Sequence, residues 1–261
     1  MFGFFRTRLH RLNDPQAAER CGALDPVERA LEAAAARYVG LHPRFRWYAR
    51  LKFRMDPCYR AIARHVCQNS FTVDLGTGLG MLPVLLGELG GRREVLGVEW
   101  DREKVRCGLQ ASRGLSGVEI VEGDLRAFPL PACDVIIFID VLHYYEAREQ
   151  EEILKRCLAA LAPGGRLLIR EGDGARRGAA RFTRIIEKWA TRMGWNLGPV
   201  VRFRPISDLR TTLIELGFHV DSEEVAGRFH PGNVLLVARL SQPTLPPCRS
   251  TDATRTGACG P

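Results

Sequence analysis

Short apolar, β-branched runs recur along the chain, each followed by a stretch with helical spacing. Residues 71–75, 95–99, 118–121, 135–139 and 166–171 read as strands. Residues 81–89, 101–112 and 146–162 read as the helices between them, the last with Ile153, Leu154, Leu158 and Leu161 on one face. Strands alternating with helices predict a parallel sheet covered on both sides. Val135–Ile139 is apolar at every position, as a strand buried on both faces should be. Beyond Pro163-Gly164-Gly165 and the fifth strand, residues 207–216 read as a helix closed by Gly217. Residues 218–225 and 233–240 then read as an antiparallel pair of strands turning at Pro231-Gly232.

The flanks follow other patterns. Asp14-Pro15 or Asp25-Pro26 would suit a helix start, and residues 26–38, rich in Ala, Glu, Arg and Leu, predict a helix ended by Gly40–Pro43. Asp56-Pro57 opens another, expected to reach Asn69. Residues 172–206 are longer than an ordinary connection and hold a helix at about 178–192, a candidate lid over a bound acceptor. Residues 241–261 are Ser, Pro, Thr, Gly and Arg with few large hydrophobes, and disorder is expected there.

The sharpest local signal follows the first strand. Phe71-Thr-Val-Asp-Leu runs into Gly76-Thr77-Gly78-Leu79-Gly80, and a helical pattern resumes at Met81. Strand, glycine turn and helix together build a nucleotide pocket at the carboxyl end of an open α/β sheet. The dinucleotide fingerprint needs glycine at the first, third and sixth positions. Counting from Gly76, the sixth residue is Met81; counting from Gly78, it is Pro83. Neither register fits. The second strand ends on Glu99, 21 residues after Gly78, where an acid can accept both ribose hydroxyls of an adenosyl group. Trp100 beside it can cover an adenine face. The third strand is followed by Gly123-Asp124-Leu125, the fourth by Asp140-Val141-Leu142-His143-Tyr144-Tyr145.

Acid-x-Gly-x-Gly-x-Gly with Asp74 in the strand resembles the first motif of the class I S-adenosylmethionine-dependent methyltransferases. Asp140-Val-Leu-His-Tyr resembles the fourth motif of their small-molecule members, including the ubiquinone/menaquinone type. It is unlike the Asn/Asp-Pro-Pro-Tyr of enzymes that methylate amino groups in nucleic acids, which counts against an exocyclic amine as acceptor. The resemblance covers roughly residues 56–240. It implies a three-layer, doubly wound α/β fold with seven strands, mostly parallel with an antiparallel C-terminal strand. Residues 1–55 would be a basic N-terminal helical extension.

What the resemblance implies for the site is specific. S-adenosyl-L-methionine would be held at its methionine half by Gly76, Thr77, Gly78 and Gly80, with Asp74 shaping the turn. Glu99 and Trp100 would take the ribose and adenine, and Asp124 with Leu125 the adenine edge. Asp140 sits where members contact the cofactor's amino-acid end or the acceptor. A hydroxyl or carbon acid must lose a proton to attack, and imidazole titrates near neutrality. His143 is therefore the candidate base, with Tyr144 or Tyr145 orienting the acceptor and Glu171 a second candidate. A helix-capping role for His143 is the competing reading.

Charge adds one feature. The net charge is +8, and residues 1–70 hold 13 cations against 6 acids, so +7 of it lies there. Residues 44–54 interleave Arg44, Arg46, Arg50, Lys52 and Arg54 with Phe45, Trp47, Tyr48 and Phe53. Such a segment can bind nucleic acid, dock an acidic carrier protein or anionic lipid, or form an amphipathic helix packed on the domain. Residues 1–12, with Phe2, Phe4 and Phe5 among arginines, can contact a membrane surface. The eight cysteines show no Cys-x-x-Cys pair and no metal spacing, so no metal is expected. Without a signal peptide or spanning run, a cytoplasmic location is expected.

Three functions remain from sequence. The first is methyl transfer to oxygen or carbon of a small organic acceptor, free or linked to a lipid or acyl carrier. The second is an RNA or other nucleic-acid methyltransferase gripping through residues 44–54. The third is a cofactor-binding domain without turnover.

Overall fold

The computed structural model describes residues 25–175, 202–227 and 232–240. The helix expected at 178–192 and the terminal tail lie outside these residues, as do residues 1–24. Among the described residues three helices precede the sheet: α1 (Pro26–Ala36), α2 (Pro43–Met55) and α3 (Cys58–His65). Then follow β1 (Phe71–Leu75), α4 (Met81–Glu88), β2 (Glu94–Glu99), α5 (Arg102–Ala111), β3 (Val118–Glu122) and β4 (Cys133–Ile139). A 3₁₀ turn at Leu142–Tyr144 leads to α6 (Ala147–Ala160), β5 (Leu161–Gly172), α7 (Ile206–Glu215), β6 (Phe218–Glu224) and β7 (Asn233–Leu240).

The seven strands lie in the order β3-β2-β1-β4-β5-β7-β6, with β7 antiparallel to both of its neighbours. The chain builds outward from β1 in one direction and from β4 in the other. Between these two strands the order reverses, which opens a crevice at their carboxyl ends. Leu75 pairs with Phe138 there, and Leu75 with Val98 on the other side.

Strand alternation divides the core. Val135, Ile137 and Leu168 face one side with Tyr38, Phe45, Phe53, Ile62 and Leu82. Ile136, Phe138, Leu167 and Ile169 face the other with Leu154, Leu209 and Leu213. The N-terminal helices thus share one apolar core with α4 and the sheet. Basic stretch 44–54 is an amphipathic helix whose Phe45, Ala49 and Phe53 are buried. Of its four aromatics only Trp47 is exposed.

Two boundaries differ from expectation. Helix α3 ends at His65, four residues short of Asn69, because Val66 is already extended. Strand β5 starts at Leu161, ahead of Pro163-Gly164-Gly165. Leu161 pairs with Cys133, and pairing resumes at Arg166 with Val135 after a register shift, so the Pro-Gly-Gly residues bulge out of the ladder. A side chain at Gly165 would meet the Ala162 carbonyl at 2.8 Å, which keeps glycine there.

Candidate active site

The turn after β1 has Gly76, Gly78 and Gly80 at φ +76°, +59° and +72°. Two of them are small because something packs against them. A Cβ on Gly76 would lie 2.6 Å from Val141, and one on Gly80 would lie 2.5 Å from Ile120. A Cβ on Gly78 would meet nothing within 4 Å, so the middle of the turn faces open space. The backbone is pinned by Gly76 and Thr77 N–H groups donating to the Val98 carbonyl, at 2.8 and 3.0 Å.

Buried acids stand behind the turn. Thr77 Oγ1 donates to Asp74 Oδ2 at 2.5 Å. Burial pushes the Asp74 carboxyl up to about 7, against the Thr77 hydrogen bond and with help from nearby Glu99. Asp74 therefore shapes the turn from inside. Glu99 ends β2 and is buried. Its Oε2 accepts the Gly78 N–H at 2.8 Å and its Oε1 the Asp101 N–H at 3.1 Å. Trp100 is exposed beside it and Leu125 is buried. Asp124 is turned toward Arg126, whose guanidinium Nη2 donates to Oδ2 at 2.6 Å and whose N–H donates to Oδ1 at 2.9 Å. Arg126 holds the Asp124 carboxyl below the usual range.

Next to the turn, the chain leaves β4 through Asp140, at φ +57° the one non-glycine residue with left-handed backbone among the described residues. Its N–H donates to the Arg170 carbonyl at 3.0 Å, and its carboxylate accepts from the Arg170 guanidinium. Arg170 is wholly buried and also donates to Asp56 Oδ2 at 2.6 Å. Lys52, on α2, completes the cluster, 3.0 Å from Asp56 and 3.6 Å from Asp140. Burial alone would lower the Lys52 pKa, but Tyr48, Asp56 and Asp140 outweigh it and hold the ammonium charged. Sequence reasoning read Lys52 as part of a basic stretch and Asp56 as a helix start, and gave neither of them, nor Arg170, a place in the site. A cation inside the apolar run Leu167-Leu168-Ile169-Arg170 was the available signal.

By strand alternation Glu171 points to the opposite face from Arg170. Its Oε1 accepts the Val141 and Leu142 N–H groups at 3.1 and 2.7 Å, and its Oε2 lies 2.7 Å from His143 Nδ1. A carboxylate can only accept, so Nδ1 carries the hydrogen and Nε2 is the basic nitrogen. His143 is buried between Tyr144 and Phe203, with ring centroids at 4.4 and 4.7 Å. The structure thus joins His143 to Glu171, two residues read separately from sequence, and sets the Tyr144 ring against the imidazole at an interplanar angle of 50°.

Residues 72–165 match the family described as "Methyltransferase domain". That segment is a little over a third of the chain. The tetracenomycin polyketide synthesis 8-O-methyl transferase TcmO of Streptomyces glaucescens is 42% identical over 65 residues, 24% of this chain and 19% of that protein. The mitomycin 7-O-methyltransferase MmcR superposes with a TM-score of 0.57 at 20% identity, over 74% of this chain and 56% of that one. Magnesium protoporphyrin IX methyltransferase from Synechocystis PCC 6803, solved with bound S-adenosylhomocysteine, gives 0.58 at 18% identity, over 82% and 95%. The chain therefore spans about a fifth of TcmO and just over half of MmcR. The matched segment fits an adenosyl cofactor at one observable point. The open space over left-handed Gly78, backed by Glu99, is a cradle that any side chain at Gly78 would fill. Among the described residues no His/Cys/Asp/Glu group could hold a metal, and no helix is long and apolar enough to cross a membrane.

Proposed function

We propose that the chain transfers a methyl group from S-adenosylmethionine to oxygen or carbon of a small organic acceptor, free or carrier-linked. One observation carries the reading: Glu171, near the end of β5, is paired with His143 in the turn that follows β4, whose Val141 packs on Gly76 of the glycine turn. When bound, the cofactor supplies a methyl group already activated on sulfur. The protein's task is then alignment, exclusion of water and removal of one proton. Gly76, Thr77, Gly78 and Gly80 would hold the methionine half and Glu99 the ribose, with Trp100, Asp124 and Leu125 around the adenine. Asp124 must exchange Arg126 for the adenine amine to do so.

His143 takes the acceptor's proton at Nε2 and becomes an imidazolium. Glu171 stabilises that charge through Nδ1, and its two backbone N–H donors keep the carboxylate aimed. Tyr144, packed against the ring at a tilt, limits its rotation. The 8-O and 7-O reactions in the names of TcmO and MmcR support a hydroxyl acceptor. Burial of Phe45 and Phe53 leaves residues 44–54 few aromatics to stack on bases, so the nucleic-acid reading gains nothing here.

The test is transfer of labelled methyl to phenolic hydroxyls, acyl groups on a carrier protein, and RNA. The reading expects product on one of the first two and none on RNA. Labelling of RNA alone, or of none of the three, overturns it.

A further inference from the structure

Helix α2 has an outer face that its packing does not explain. Buried Phe45, Ala49 and Phe53 fix its inner side, and at about 3.6 residues per turn Trp47 and Leu51 fall at the middle of the opposite side. Trp47 is 61% exposed and Leu51 46%. Arg46, Arg50 and Arg54 follow one another at every fourth position along one flank of this pair. Helix α2 contains no Asp or Glu. Among the described residues no acid pairs with these three arginines, and the Arg50 guanidinium lies 5.8 Å from the centroid of the Trp47 ring. The helix also runs past the crevice. At one end Arg44 is paired with Glu103, at the start of α5 just after β2. At the other end Asp56, the next residue after the helix, meets Arg170 near the end of β5. Strands β1 and β4 lie between these two anchors.

We propose that this face docks the protein on an anionic lipid surface, with Trp47 and Leu51 entering the headgroup layer and Arg46, Arg50 and Arg54 binding lipid phosphates. Docking there brings the crevice close to that layer, and it holds whether or not the chain transfers methyl groups. Charge complementarity supports it, because three cations spread over about 12 Å of helix without an acid are drawn to a negative surface. Tryptophan suits the boundary between headgroups and acyl chains, having an apolar body and one N–H. A guanidinium grips a phosphate by two hydrogen bonds. Shape separates lipid from protein. The apolar pair crowns a convex helix, around which a fluid layer closes, whereas an acidic protein must offer a matching groove. The sequence ahead of the described residues repeats the mixture, with Phe2, Phe4 and Phe5 beside Arg6, Arg8 and Arg11.

The test is sedimentation of the full chain with vesicles, either phosphatidylcholine alone or phosphatidylcholine mixed equally with phosphatidylglycerol. Wild type should bind the anionic vesicles and not the others, and binding should weaken as salt is added. Arg50→Gln combined with Arg54→Gln should lower affinity for the anionic vesicles by about thirty-fold, and Trp47→Ala by about ten-fold. These side chains are exposed, so both variants should keep the wild-type unfolding midpoint. Equal binding to both vesicles, binding to neither, or binding that the variants leave unchanged overturns the proposal. Retention of polyglutamate or of RNA in place of the anionic vesicles also overturns it, the first in favour of an acidic protein and the second of nucleic acid.

Discussion

Glu99 Oε2 accepts the backbone N–H of Gly78 at 2.8 Å, so the end of β2 grips the turn that follows β1. The acid assigned to the ribose also sets the conformation of the glycine that approaches the cofactor. Glu99→Ala should therefore weaken S-adenosylmethionine binding twice over, by about ten- to hundred-fold, since each charged hydrogen bond is worth about one decade or more. Gly78→Trp, which fills the open space above the turn, should abolish binding. Calorimetric titration decides; unchanged affinity in both variants removes the site.

Asp74 makes a pH prediction. Its carboxyl sits near 7 in the fold, chiefly through burial, against about 3.9 in an unfolded chain. Between these values the native state holds a proton that the unfolded state has released. Its contribution to stability is thus fully present below about pH 4 and is lost as pH rises toward 7. Asp74→Asn removes that dependence and keeps an acceptor for Thr77. Relative to wild type, the variant should gain on the order of a few kcal/mol in denaturant stability between pH 5 and 8. A difference that does not move with pH would show Asp74 ionised throughout.

His143 and Glu171 form a second test. His143→Ala should lower kcat by about 10²- to 10⁴-fold, the span of general-base catalysis, with cofactor affinity retained. Glu171→Gln should lower kcat less and also loosen the loop, because its carboxylate holds the Val141 and Leu142 N–H groups. Turnover of His143→Ala at the wild-type rate ends the base assignment.

What was legible from sequence follows from where side chains must point. The glycine turn, Glu99 and the alternation of strands with helices are local or periodic signals, so they could be read along the chain. The Lys52–Asp56–Asp140–Arg170 cluster could not. The two partners of one of its bonds, Arg170 and Asp56, lie 114 positions apart, and only the tertiary fold unites them. Asp140 was singled out for its motif, but its left-handed backbone is imposed by tertiary bonds. Asp124 shows the reverse failure. Its turn position was legible, and the two-residue reach of Arg126 to its carboxylate was not weighed.

Tyr38 predicts that the N-terminal helices brace the cofactor turn. The buried hydroxyl donates to the Leu79 carbonyl, between Gly78 and Gly80, at 3.0 Å. Tyr38→Phe keeps the ring and leaves that carbonyl short of a donor, at a cost of about 1–3 kcal/mol. Affinity for S-adenosylhomocysteine should fall with it. A variant as stable and as tight as wild type would show that the turn stands without α1 and its following residues.

Arg170 carries the largest expected loss. It is wholly buried and is the common partner of Asp56 and Asp140, two carboxylates that face the same guanidinium. Arg170→Met preserves much of the volume but leaves Lys52 alone to balance both acids. Removing one partner of a buried pair costs about 3–5 kcal/mol, more than any single apolar gain from the methionine returns. Asp56→Asn tests the same network from the other end, and it should be milder because Lys52 and Arg170 keep Asp140. If the penalties come from this network, Arg170→Met combined with Asp56→Asn should destabilise by clearly less than the sum of the two changes, since the double variant buries one fewer unpaired charge. Strict additivity in denaturant titrations would show that Arg170 acts through packing and not through its charge.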